Sequence, residues 1–136
     1  MPESSARALF AARLVQARQL RGLSQRALGD RMGLGKDKGS SRINRYEHQV
    51  TAIGFDSLEK LADVLDVPVA YLMAPNASMA DAILALSRIE ESKLDMLADL
   101  IPALVDNPRL LQQLAKLLQL PKREQSKSLK ALAGSE

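Results

Sequence analysis

A chain of 136 residues, 46% hydrophobic and 26% charged, has the balance of a folded protein, with room for one ordinary domain or a small domain plus an appendage, but not for two large lobes around a cleft. It has no Cys, so disulfides, thiolate nucleophiles and thiolate metal sites are excluded, and its one His, His48, cannot form a His-based metal cluster. The net charge of +3 conceals a polarity: residues 1–50 hold ten Lys and Arg against four acids, residues 51–120 five against ten, and residues 121–136 four against two, so the N-terminal part suits a polyanion and the middle does not.

Two Phe, two Tyr and no Trp leave the core to Leu, Ile, Val, Ala and Met. That palette favours helices over strands, and the expected fold class is all-α. Arg7 and Arg13 interrupt the apolar stretch near the N-terminus, and no run approaches the roughly 18 apolar residues of a membrane span. A soluble, cytoplasmic protein that does not enter a membrane is expected.

From Ala6 to Leu20, Leu9, Phe10, Leu14, Val15 and Ala17 fall at helical spacing, and Gly22 stands where such a helix stops. Ser24 is placed to cap a second helix that turns Ala27, Leu28 and Met32 inward and ends at Gly33. The Gly- and Ser-rich run from Gly33 to Ser41 reads as a loop. A short third helix follows, with Ser40 or its neighbour as cap, Ile43 and Tyr46 on its inner side and Arg42, Asn44 and Arg45 facing out.

Asp56-Ser57-Leu58-Glu59 resembles a capping box opening a fourth helix with Leu58, Leu61, Ala62 and Leu65, and Pro68 suits the first position of a fifth with Val69, Tyr71 and Leu72. Pro75, Asn76 and Ala77 mark a junction. Beyond it, helical patterns cover Ser78 to Ile89, Ser92 to Val105, and Pro108 onward with Asn107 as cap. Pro102 should kink or divide the second of these, and the polar, basic run from Pro121 reads as a flexible tail. The expected organisation is a domain over 1–76, a helical oligomerisation or partner-binding region over 77–120, and a tail over 121–136.

Three segments in order carry a resemblance: Leu23 to Gly33 (LSQRALGDRMG), Ser41 to Glu47 (SRINRYE) and Leu58 to Val67 (LEKLADVLDV). Together they resemble the Cro/phage-repressor (Xre) type of helix-turn-helix, a likeness that spans roughly residues 8–74. It implies a five-helix, lambda-repressor-like domain that binds duplex DNA, with its third helix in the major groove and its second crossing the backbone. The physics of the residues agrees. The major groove admits one α-helix, and an outward face of hydrogen-bonding side chains is what reads it.

Arg42 and Arg45 suit bidentate contacts to guanine and Asn44 to adenine, and Ser40 and Ser41 join them as base readers. The resemblance makes Gln25 a phosphate ligand that also braces the third helix. Ser24 at the same helix end, with Arg26, Lys36, Lys38 and Arg18, completes the candidate phosphate contacts. One departure stands out: about four residues, Gly35 to Lys38, are inserted where the family has a short turn.

Other polar residues have plainer readings. Ile43, Tyr46, Leu28 and Leu61 are core by phase; Arg7, Arg13 and Arg21 belong to a solvated face; Glu47 forms an internal ion pair; His48 ends a helix. Glu90 and Glu91 are helix neighbours that do not face each other, so they make no acid/base pair. No catalytic set, metal site or cofactor motif is visible, and no enzymatic activity is expected.

The expected function is sequence-specific binding of double-stranded DNA as a repressor, dimeric on a pseudo-palindromic operator. An antitoxin of the same fold is the alternative. Three amphipathic patterns in residues 78–120 carry more leucine than so small a segment buries alone; the N-terminal domain, a partner protein or a second copy would cover it. The second copy is favoured, because two-fold operators require a fixed spacing of recognition helices.

Overall fold

A computed structural model of the chain describes residues 5–35 and 37–134, and among these it holds nine helices and no strand. No helix among them is long and apolar enough to cross a membrane. Each early boundary has a local cause. The side chain of Ser5 accepts from the Ala8 amide at 3.2 Å and opens α1 (Ala6–Leu20). At its end Gly22 takes φ +63°, which lets the Leu23 amide reach back to the Arg18 carbonyl at 3.0 Å. Ser24 caps α2 (Gln25–Arg31) through the Ala27 amide at 3.0 Å, and Gly33 at φ +71° turns the chain away.

There follow α3 (Lys38–Glu47), α4 (Phe55–Leu65), α5 (Val69–Leu72) and α6 (Ala77–Leu86), whose cap is Asn76 at 2.8 Å from the Met79 amide. Then come α7 (Glu91–Val105), α8 (Pro108–Gln119), capped by Asn107 at 3.1 Å from the Leu110 amide, and α9 (Lys122–Ala133).

The helices group into two compact units that divide between Ile89 and Glu90. The first contains the core: Phe10, Leu14 and Ala17 of α1 meet Leu28, Ile43, Tyr46, Leu61, Leu65, Tyr71 and Leu72, all buried. Full burial of each large aliphatic side chain contributes about 1.5–3 kcal/mol. The Phe10 and Tyr46 rings add an edge-to-face contact, their centroids 6.0 Å apart.

Helices α2 and α3 meet backbone to backbone at Gly29 and Gly39. A Cβ on Gly39 would lie 2.8 Å from the Gly29 Cα, and one on Gly29 would lie 2.7 Å from the Gly39 Cα. Neither helix can carry a side chain there.

Several sequence expectations change. Helix α3 begins at Lys38 and not at Ser40: Gly39 belongs to its first turn because it packs on Gly29, and no side chain caps it. Helix α4 starts at Phe55 after Gly54, without a capping box, and Pro68 precedes α5 instead of opening it. The boundary expected after residue 76 falls thirteen residues later, since α6 buries Ala80 completely and the Gln16 amide donates to the Asp81 carboxylate at 3.1 Å. Beside that contact the Tyr71 phenol is fully enclosed. Its pKa is raised by burial and by Asp81, against the lowering pull of Arg13 and Arg21.

In the second unit α7 runs through Pro102 undivided. The run read as a tail is α9: Lys, Arg, Gln, Leu and Ala favour a helix, and the Gln125 amide ties its start to the Leu120 carbonyl at 2.6 Å and the Leu118 carbonyl at 3.1 Å.

The glycine contact is directly testable. Gly39→Ala should cost about 1–3 kcal/mol by overpacking, since backbone on the other side yields less than a side chain would. Thermal unfolding of the full chain followed by circular dichroism should show a melting point lower by roughly 4–8 °C per kcal/mol; an unchanged value would mean that the helices can separate without penalty.

Candidate nucleic-acid interface

Helix α3 is two-faced by its sequence. Gly39, Ile43 and Tyr46, at steps of four and three, are buried on one side; Lys38, Ser41, Arg42, Asn44 and Arg45 are exposed on the other. Ile43 is fully enclosed, so the outward direction of its neighbours is set by core packing.

A chain of polar contacts holds the helix from below. Arg18 of α1 donates from Nε to Glu47 Oε1 at 2.6 Å and from Nη2 to Oε2 at 3.2 Å, and its Nη1 donates to the Leu23 carbonyl at 2.9 Å. Gln25 of α2 donates to the same carboxylate at 2.6 Å and accepts from the Asn44 amide at 3.3 Å. The side chains of Arg18 and Glu47 retain only 16% and 4% exposure, which makes this a desolvated pair and not a surface bridge. Three helices are thereby pinned at one carboxylate.

Two open grooves flank the outward face. One, of about 420 Å³, is lined by Gln25, Arg26, Asp37, Ser40, Ser41 and Asn44. The other, of about 570 Å³, is lined by Asp37, Lys38, Ser41, Arg42, Arg45, Tyr46 and Thr51.

The structure thus gathers Ser40, Ser41, Arg42, Asn44 and Arg45 on α3, Ser40 half-buried and the rest exposed, with Ser24, Gln25 and Arg26 at the start of α2 beside them. Lys38 is on the same surface but in the helix, not in a loop. Lys36 lies outside the described residues. Arg18 is spent inside the fold and is unsuited to a phosphate contact.

Of the arginines read as solvated, Arg21 instead donates to the Leu65 and Asp66 carbonyls, both at 2.7 Å, and so caps α4, and Arg13 is half-buried. Glu47 forms the internal ion pair expected of it, and His48 closes α3 with Nδ1 2.9 Å from the Asn44 carbonyl oxygen. Sequence reasoning missed Asp37, an exposed acid that lines both grooves. Its position follows from the start of α3 at Lys38, which makes Asp37 the residue just before the helix.

A helix-turn-helix family model matches residues 14–72, the stretch that builds this surface. Among solved structures, the crystal structure of transcriptional regulator BswR is 34% identical, covers 71% of this chain and 95% of that chain, and superposes with a TM-score of 0.62. No curated protein sequence matches the chain. The chain belongs to the Xre-type helix-turn-helix family.

Within an Xre-type domain the second and third helices of the motif are α2 and α3, and the matched stretch ends with α5. Of the Gly35 to Lys38 insertion, Lys38 belongs to the first turn of α3 and not to a loop.

The pinning carboxylate predicts a non-additive mutant cycle. Glu47→Leu alone leaves a desolvated guanidinium and should cost about 3–5 kcal/mol, and Arg18→Met alone should cost a similar amount. The double variant should cost less than the sum of the two, by a coupling energy of about 1–3 kcal/mol in urea unfolding. Simple additivity would show that the pair contributes no mutual stabilisation.

Proposed function

We propose that the protein is a repressor that binds a pseudo-palindromic operator as a dimer, with α3 of each copy in the major groove. The observation that carries this reading is the outward face of α3: two arginines, an asparagine and a serine exposed together on a helix held rigidly by its buried side. Arg42 and Arg45 carry exposed guanidinium forks of the kind that read guanine. Asn44, tied through one amide hydrogen to Gln25, is held in place to address adenine.

Ser24, Gln25, Arg26 and Lys38 take the phosphates on either side. Gln25 is turned partly inward, so its contribution is as much to hold Asn44 as to touch the backbone. Repression follows from the resemblance to phage repressors, which supports occlusion of a promoter.

The dimer is supported by the second unit. None of its described residues from 90 to 134 is buried, and Leu100, Ile101, Leu110, Leu111 and Leu118 are among the exposed large side chains. Isolated helices with open apolar faces do not offset their ordering entropy. The interface expected over residues 78–120 is accordingly assigned from Glu90 onward, because α6 is committed to the first unit.

Arg45→Ala should cost about 1–3 kcal/mol on the cognate site and relax preference at one base pair, whereas Lys38→Ala should weaken all sequences alike and lower the salt slope by about one. Titrations of operator and random DNA decide it, and equal losses on both for Arg45→Ala would remove it as a reader. The dimer is tested separately: a chain truncated after Ile89 should sediment as a monomer and bind operator more weakly than the full chain. Equal mass-action behaviour of the two would assign the C-terminal helices another task.

A further inference from the structure

The second unit carries two charge stripes of opposite sign, and no ion pair among its described residues joins them. Residues 90–106 hold five acids and one lysine, and residues 107–134 hold six basic residues and one acid. On α7, Glu91, Asp95 and Asp99 recur every four residues and form one stripe. On α9, Arg123, Lys127 and Lys130 recur at steps of four and three and form another. At about 1.5 Å per residue the stripes are roughly 12 and 10 Å long, a close match. All six side chains are exposed. Off both stripes, Lys93 pairs with Glu90 at 3.6 Å.

The acidic stripe borders an apolar face: beside the acids of α7 run Leu94, Ile101 and Val105, all exposed. On α9 the exposed Leu129 lies on the side turned away from the basic stripe. An apolar seam flanked by charges is the arrangement by which packed helices choose their partner. Helix α7 packs on α8 and α8 on α9.

We infer that the partner of this unit is a second copy of the same chain, seated so that the acidic stripe of α7 faces the basic stripe of the other copy's α9, and the reverse. One chain with two complementary stripes is self-complementary, and a two-fold axis satisfies both at once in a closed pair. A partner of different sequence would need to supply both signs at matching spacing. Nucleic acid would satisfy α9 and leave α7 repelled. The inference rests on the dimeric reading above and adds its register: α9, which from its composition reads as a tail, is part of the interface.

The test is a charge swap in the full chain. One variant carries Glu91→Lys, Asp95→Lys and Asp99→Lys; the other carries Arg123→Glu, Lys127→Glu and Lys130→Glu. Sedimentation should show each alone self-associating at least about tenfold more weakly than the parent, since like charges now oppose each other. A mixture of the two should restore a heterodimer of parental strength, identified by native mass spectrometry with one variant mass-tagged.

Circular dichroism checks helicity. If a triple variant loses it, Asp95→Lys and Lys127→Glu are paired in its place. Parental self-association by both variants overturns the stripe pairing while leaving the dimer standing. Weakened variants that fail to rescue each other overturn it as well, as does a loss confined to DNA binding by the α9 variant. A parent chain that is monomeric at every concentration removes the dimer and the pairing together.

Discussion

The Glu47 carboxylate is the point on which the N-terminal unit turns. It sits in the last turn of α3 with its side chain almost wholly out of water, and a desolvated charge is tolerable only when its partners are held in place. Arg18 arrives from α1 and Gln25 from α2. To satisfy one group the fold must bring three helices to a common position, and the same contacts pass through Gln25 to Asn44 on the outward face. Core packing alone would tolerate small rotations of α3; the hydrogen bonds narrow that freedom, because their strength falls off steeply with misalignment. A surface that reads base edges needs its side chains aimed to within fractions of an ångström, so a costly buried ion pair beneath it has a physical justification.

The glycine pair answers a different requirement. Gly29 and Gly39 bring the backbones of α2 and α3 together, which places the start of α2 next to the outward face of α3. Glycine within a helix costs roughly 1 kcal/mol of propensity per position. Here that cost is met twice, and the close approach it permits puts Arg26, Ser41 and Asn44 around one groove.

Much of this was legible in the residues, and what was not has identifiable causes. The core positions Leu28, Ile43, Tyr46 and Leu61 follow from periodicity, and the caps at Ser24 and Asn107 follow from their side-chain chemistry. The start of α3 was misjudged because Gly39, Ser40 and Ser41 have poor helix propensity; a tertiary contact, invisible in one sequence, overrides it. Arg18 looked like any other arginine of an outward face until its partner, 29 residues away, was placed. Helix α9 was missed for the opposite reason. Its residues are good helix formers, but their polarity and charge also fit a solvated tail.

The two units divide labour in a way their burial makes concrete. The first carries its own core of enclosed side chains, which fixes the outward face of α3. The second has apolar faces but no buried residue among those described, and the proposed dimer would supply the burial that it lacks alone. On the proposed reading, that difference gives regulation a lever. Joining two weak readers makes the second DNA contact intramolecular, with an effective concentration set by the linkage and not by the cell. With the stripes on α7 and α9 paired as inferred, the association would weaken as salt rises, and so would phosphate binding by the N-terminal unit. The salt dependence of operator binding by the full chain is therefore the sum of two effects at opposite ends of the sequence, and it should be steeper than the phosphate contacts of α2 and α3 alone would give.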